Sequence, residues 1–196
     1  MALLEEIMAH NPRFVADRGR PLTKRPARRV ALFTCMDTRL VEFLEPAMGI
    51  QRGDAMVIKN AGNTLLDPQG GVVRSLVVAI FALGCGEVCV VGHRDCGMAQ
   101  VDGAALRAAM LARGVPAEAL AALSPTLHDW LGAFRDPEGN VRRVVDELRR
   151  PSRRSMIHRG AALPHAGSGC KRPNQCHIQR IGHAAKVAHL PPRKRP

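Results

Sequence analysis

Two short stretches of the chain gather residue types that bind soft metal ions. Cys35-Met-Asp37-Thr-Arg39 sets a thiol, a carboxylate and a guanidinium at alternate positions, and Gly92-His93-Arg-Asp-Cys96-Gly97 sets an imidazole and a second thiol three residues apart. Zinc favours thiolate and imidazole in a tetrahedral shell, and a catalytic zinc keeps one of its four positions open. Cys35, His93 and Cys96 would supply a Cys2His set of that type, with the two thiolates balancing the charge of the dication. Taken singly, each residue is ordinary. Cysteine is among the most buried residue types, which is how Cys85 and Cys89 read, and Asp37 with Arg39 could be no more than a helix-start ion pair. The triplet His93-Arg-Asp95 also occurs in protein kinases, but Gln100 stands where their metal-binding asparagine would be. The chemistry therefore depends on the two stretches meeting in space.

The elements that would bring them together are legible in the pattern of apolar residues. Val30-Ala-Leu-Phe33, Ala55-Met-Val-Ile58 and Val88-Cys-Val-Val91 are short, wholly apolar runs bounded by Arg, Gly or Asp, the form taken by strands buried on both faces of a parallel sheet. Helical stretches are expected between them, near 38–48 with Thr38 as the cap and near 71–83. Strand–helix alternation predicts an α/β fold, a small and mostly parallel sheet flanked by helices. Active sites of open parallel sheets gather at the carboxyl ends of strands, which is where both stretches fall. Val72-Val-Arg-Ser-Leu-Val-Val-Ala-Ile-Phe-Ala-Leu83 is apolar nearly all round, so a subunit interface is expected to cover part of it. Further helices are expected near 104–113, 117–123 and 140–150, punctuated by Pro116, Pro125 and Pro137.

At these residues the chain resembles the β-class carbonic anhydrases. The paired signature Cys35-x-Asp37-x-Arg39 and His93-x-x-Cys96 is joined by Val57-Ile-Lys-Asn-Ala-Gly-Asn63, Arg74-Ser75, Ala82-Leu-Gly84 and Val90-Val-Gly-His-x-Asp-Cys-Gly-Met98. The likeness is strong over roughly 28–100, looser over 101–150, and nearest to the short, archaeal-type subclass. It implies one Zn2+ per subunit on Cys35, His93 and Cys96. A metal-bound hydroxide would then hydrate carbon dioxide reversibly to bicarbonate. It further implies that Asp37 accepts a hydrogen bond from the hydroxide, that Arg39 holds Asp37 off the metal, and that a closed form exists in which Asp37 itself ligates zinc. Ala61, Gly62 and Asn63 would border the pocket. Two other readings stay open: a related zinc hydrolase of another small heterocumulene of the carbon disulfide type, and a catalytically impaired zinc protein.

The last quarter of the chain is a different kind of sequence. The 196 residues carry a net charge of +12, yet residues 1–150 hold 19 Lys+Arg against 17 Asp+Glu, while residues 151–196 hold 10 Lys+Arg and neither an acidic nor an aromatic residue. The division expected is a zinc domain over 1–150 and a basic, acid-free, disordered tail over 151–196, in place of the strand with which the family continues. The tail could instead attract nucleic acid through Lys171-Arg172 and Arg193-Lys194-Arg195, but without aromatic residues only non-specifically. Its abrupt Arg/Pro/Ala/Gly/His composition also matches a shifted reading frame of a GC-rich gene. Cys170, Cys176 and His177 lack the paired spacing of a closed zinc site. No stretch is apolar for long enough to cross a bilayer, and the acidic start, Met1-Ala-Leu-Leu-Glu-Glu, is unlike an export signal. The expectation is a cytoplasmic homodimer or higher homo-oligomer, with carbon dioxide and bicarbonate as its small-molecule partners.

Overall fold

The apolar runs become strands in the expected order. The computed structural model describes residues 3–18, 21–67, 69–134, 136–150 and 177–181. Strands β1 (Val30–Cys35), β2 (Ala55–Asn60) and β3 (Glu87–Gly92) are parallel, with β1 between the other two. Val30 lies opposite Ala55 on one side and Glu87 on the other, so the carboxyl ends of the three strands finish level, Cys35 beside Asn60 and Thr34 beside Val91. That register brings the two ligand-rich stretches to one rim of the sheet.

Helices flank the strands as the α/β reading requires. α1 spans Leu3–Arg18, α2 Leu44–Ala47, α3 Gly71–Val77, α4 Gly103–Ala112, α5 Ala117–Ala133 and α6 Pro137–Arg149. Of these, α3 and α6 pack on the sheet. α6 starts where Asp136 caps it by accepting a hydrogen bond from the Gly139 N–H, with Pro137 in the first turn where its missing N–H costs nothing. Its apolar residues Val141, Val144, Val145 and Leu148 recur at helical spacing and are all fully buried against Phe33, Val88 and Val90. Each such side chain contributes roughly 1.5–3 kcal/mol by leaving water. A second cluster, with Leu32, Leu40, Leu44, Val91 and Phe134, packs around Cys35 and Cys96.

Several expectations are corrected in detail. The helix expected over 38–48 is a 3-10 turn, Thr38–Leu40, followed by the single turn of α2, and the cap is Asp37 rather than Thr38. α3 continues as a π-helical stretch over Val78–Ala82. α5 runs on through Pro125, where one missing N–H interrupts the ladder without ending the helix. β2 is an edge strand rather than one buried on both faces, and it leaves Val57 exposed; Val78 and Phe81 of the apolar helix are also about half exposed. The sheet does not lack a strand from the tail: β4 (His177–Ile181) pairs antiparallel with β3, Val88 opposite Ile181 and Gly92 opposite His177. The reason is the free side of β3, whose unpaired N–H and C=O groups accept any extended segment that can reach them. Residues 151–176 and 182–196, on which the expected disorder and the basic clusters fall, lie outside the described residues. No described helix is long and apolar enough to cross a membrane.

The approach of α6 to the end of β3 depends on Gly92. A Cβ there would lie 2.7 Å from Val141 Cγ2 and 3.3 Å from the Pro137 carbonyl oxygen. Gly92→Ala is therefore expected to push α6 off the sheet and to lower stability by about 1–3 kcal/mol, the usual cost of overpacking. Urea denaturation of the two proteins measures it, and an unchanged midpoint would mean that α6 is not seated as described.

Candidate metal centre

The rim of the sheet is built by three chain segments that leave the strands. β1 ends at Cys35 and turns through Asp37 into the 3-10 turn, β2 runs into a second 3-10 turn at Ala61–Asn63, and β3 ends at Gly92, directly before His93. Asp95 takes a left-handed backbone (φ 53°), which reverses the chain and turns Cys96 back toward Cys35. A ligand atom from each of Cys35, His93 and Cys96 lies within 4.8 Å of the others, and all three residues are buried. Fifty-eight residues separate Cys35 from His93 in sequence, and the parallel register removes that distance.

The donor set fits a tetrahedral zinc. Cys35 Sγ and Cys96 Sγ are 3.8 Å apart, too far for a disulfide, and both cysteines are free. Two sulfurs each ~2.3 Å from one ion at a tetrahedral angle stand about 3.8 Å apart. His93 Nε2 is buried and has no hydrogen-bond partner among the described residues, a state that buried polar atoms seldom keep unless another group completes them. The Cys35 thiol is pushed far below its ordinary range, chiefly by the hydrogen bond it shares with the Cys96 thiol and also by the backbone amides of Asp37 and Gly62, against the cost of burial. Cys96 is pushed upward by that neighbouring thiolate and by burial. The pair thus gives up one proton readily, and the second awaits a cation.

The acid–base pair beside the cluster is tightly organised. Asp37 Oδ1 accepts from the Arg39 backbone N–H and from Nε, both at 2.9 Å, and Oδ2 accepts from Nη2 at 2.8 Å. Asp37 Oδ2 is also 3.8 Å from His93 Nε2. The Arg39 guanidinium holds the Asp37 carboxyl down at about 2. The other side of Arg39 is taken by Asp95, through Nη1 to Oδ2 at 2.8 Å and Nη2 to the backbone carbonyl at 2.6 Å. Arg39 therefore ties the end of β1 to the turn that carries His93 and Cys96.

Of the three residues expected to border the pocket, Gly62 reaches the cluster itself. Its N–H donates to Cys35 Sγ at 3.3 Å from a left-handed backbone (φ 66°), and a Cβ there would lie 2.8 Å from Met98 Cγ and 2.9 Å from Phe134 Cε2. Only glycine fits. The Ala61 carbonyl accepts from Thr64 Oγ1, and Asn63 is buried with its Nδ2 unpartnered among the described residues. Sequence reasoning did not find Asn140 and Arg143, which hold this loop from α6. The available signal was a polar residue, Asn140, on the stripe that α6 otherwise fills with Val144 and Leu148. Cys85 is a core cysteine as expected, its thiol pushed up by burial, and Cys89 is partly buried in β3.

Known proteins resemble this chain in sequence and in fold. The carbonic anhydrase family model matches residues 30–157, ending just beyond α6. A putative carbonic anhydrase of Bacillus subtilis, YvdA, is 39% identical over 155 residues, which cover 76% of this chain and 79% of that protein. A crystal structure of a β-carbonic anhydrase, isoform I of Trichomonas vaginalis, superposes with a TM-score of 0.73 at 39% identity over 76% of this chain and 84% of the other. A carbon disulfide hydrolase of Saccharolobus solfataricus is 32% identical over 123 residues, 58% of each chain. With the α/β sheet, the level strand ends and the buried Cys–His–Cys cluster, these matches mean that the chain belongs to the β-carbonic anhydrase family of enzymes.

Proposed function

We propose that the protein hydrates carbon dioxide reversibly to bicarbonate with one zinc ion per subunit, as a member of the short, archaeal-type subclass. Cys35, His93 and Cys96 would hold the ion, which when bound acidifies a water at its open position and so supplies a nucleophile near neutral pH. The observation that carries this reading is the 3.8 Å spacing of the two sulfurs beside a buried imidazole nitrogen that has no hydrogen-bond partner among the described residues.

The remaining residues orient and restrain. Asp37, beside the imidazole, accepts a hydrogen bond from the reacting water and turns a lone pair toward the carbon of carbon dioxide. Arg39 occupies both Asp37 oxygens and would keep the carboxylate out of the ligand set, and Asp37 would be a candidate ligand only with that pair broken. Ala61, Gly62 and Asn63 border the pocket, and the unpartnered Asn63 amide is a donor for a substrate oxygen. The half-exposed Val57, Val78 and Phe81 support a working homodimer or higher homo-oligomer, in the cytoplasm. The zinc domain spans 1–150, and the basic tail over 151–196, although β4 within it joins the sheet, has only non-specific attraction for nucleic acid. Sequencing the gene across codon 150 decides whether that tail is a shifted frame.

Stopped-flow hydration of carbon dioxide by the zinc-loaded protein tests the activity, with hydrogen sulfide release from carbon disulfide assayed in parallel. Hydration well above the buffer rate is expected. A protein with one zinc per chain and no hydration would overturn the reading, and sulfide release alone would favour the hydrolase.

A further inference from the structure

The Ala61–Asn63 loop beside the metal cluster is tied to α6 by a network of buried and part-buried polar groups. Asn140 is 2% exposed. Its Nδ2 donates to the Gly62 carbonyl at 2.9 Å and to the Asn63 carbonyl at 3.3 Å. Its Oδ1 accepts from Arg143 Nη2 at 2.7 Å, and Arg143 Nη1 donates to the Leu65 carbonyl at 3.1 Å. Two carbonyls facing one amide require the NH2 end there, so the orientation of Asn140 is set by chemistry. One helix turn thus grips residues 62, 63 and 65. The peptide whose carbonyl Asn140 holds follows the Gly62 N–H by one residue, and that N–H points at Cys35 Sγ.

We infer that Asn140, backed by Arg143, is a positioning residue for the metal centre: it fixes the Gly62 amide on the Cys35 thiolate. The inference rests on Cys35 being a metal ligand. Burying Asn140 and part of Arg143 costs free energy, the more so because Arg143 Nε has no hydrogen-bond partner among the described residues, and a helix end seated on a sheet needs neither residue. Apolar side chains at 140 and 143 would continue the stripe of Val141, Val144 and Leu148. What the polar pair adds is a fixed direction for one N–H. An N–H···S bond lowers the energy of the sulfur lone pairs and thereby tunes the bond from sulfur to the ion, and groups in this position commonly change metal affinity by about 10–100-fold when removed.

Cobalt(II) makes the effect visible, because its sulfur-to-metal charge-transfer absorption reports the energy of those lone pairs. In the full-length chain loaded with Co2+, Asn140→Leu is expected to move that absorption to longer wavelength and to weaken zinc binding about 10-fold or more. Arg143→Met, which leaves Asn140 in place, is expected to move it less and in the same direction, and serves if Asn140→Leu does not fold. Leu148→Ala is the control: it lies about 12 Å further along α6, at 1.5 Å per residue, and lowers the melting temperature without touching the loop. Variants that melt earlier while keeping the wild-type absorption would overturn the inference, as would a Leu148→Ala protein showing the same shift. A wild-type protein that gives no sulfur-to-cobalt absorption would overturn the ligand assignment itself, and the inference with it.

Discussion

Cys35→Ser is expected to leave the protein without stoichiometric zinc and without measurable hydration of carbon dioxide. The two thiolates balance the dication, so the loaded site is neutral; with serine at 35 a net positive charge would remain in a site whose ligands are only 2–7% exposed. Uncompensated buried charge is among the most costly arrangements a fold can hold. Removing a ligand must therefore cost more than the 10–100-fold that groups merely orienting ligands are typically worth. Metal analysis by atomic spectroscopy, with stopped-flow assay of the same preparation, reads both losses. Cys85→Ser is the control, since Cys85 is as fully buried but outside the cluster, and it is expected to retain zinc. Full activity in Cys35→Ser would remove Cys35 from the ligand set. The loss of metal is expected to have a structural side too, because Cys35 and Cys96 lie within the second apolar cluster with Leu40, Leu44 and Phe134.

How much of this could be read from the sequence follows from how local each signal is. β1 over Val30–Phe33 and β3 over Val88–Val91 are wholly apolar because both faces are largely covered there, and these runs are legible without any neighbour. β2 carries the same kind of run, but its half-exposed place at the edge is a property of the sheet order, which no single run encodes. α1 went unread because Pro12 lies inside it and its described side chains are exposed, so no buried face among them imposes a period. β4 went unread because His-Ile-Gln-Arg-Ile has no alternation of its own and is a strand only because β3 offers a free side. At the site, Cys35, His93 and Cys96 were legible from residue type and from their place at strand ends. Asp95 was not, although it lies between two of them: its carboxylate meets Arg39 only because its backbone is left-handed. Asn140 and Arg143 lie 77 and 78 residues beyond the backbone groups they hold, a separation that only the folded helix closes.

Asp37→Asn is expected to keep zinc at one per chain and to slow hydration by about 10²-fold or more, the lower end of what a positioned acid or base supplies. Asparagine preserves the shape but replaces an anionic oxygen by an NH2 group, which cannot accept from Arg39 or from a water. The pH dependence discriminates further. The folded carboxyl titrates at about 2, below its ordinary 3.8, chiefly because Arg39 donates to it. A depressed carboxyl stabilises the fold above about pH 4 and loses that contribution as pH falls through about 2. From pH 5 to 9 the Asp37 charge is constant, so the ratio of wild-type to Asp37→Asn rates is expected to be flat across that range, while any titration of the reacting water appears in both proteins alike. A ratio that rises with pH between 5 and 9 would mean that Asp37 gains its charge there, against the grip of Arg39. An unchanged rate would remove Asp37 from the reaction. Loss of zinc in this variant would instead place the Asp37–Arg39–Asp95 chain among the groups that hold the two strand ends together, since Arg39 is the side chain that donates to both.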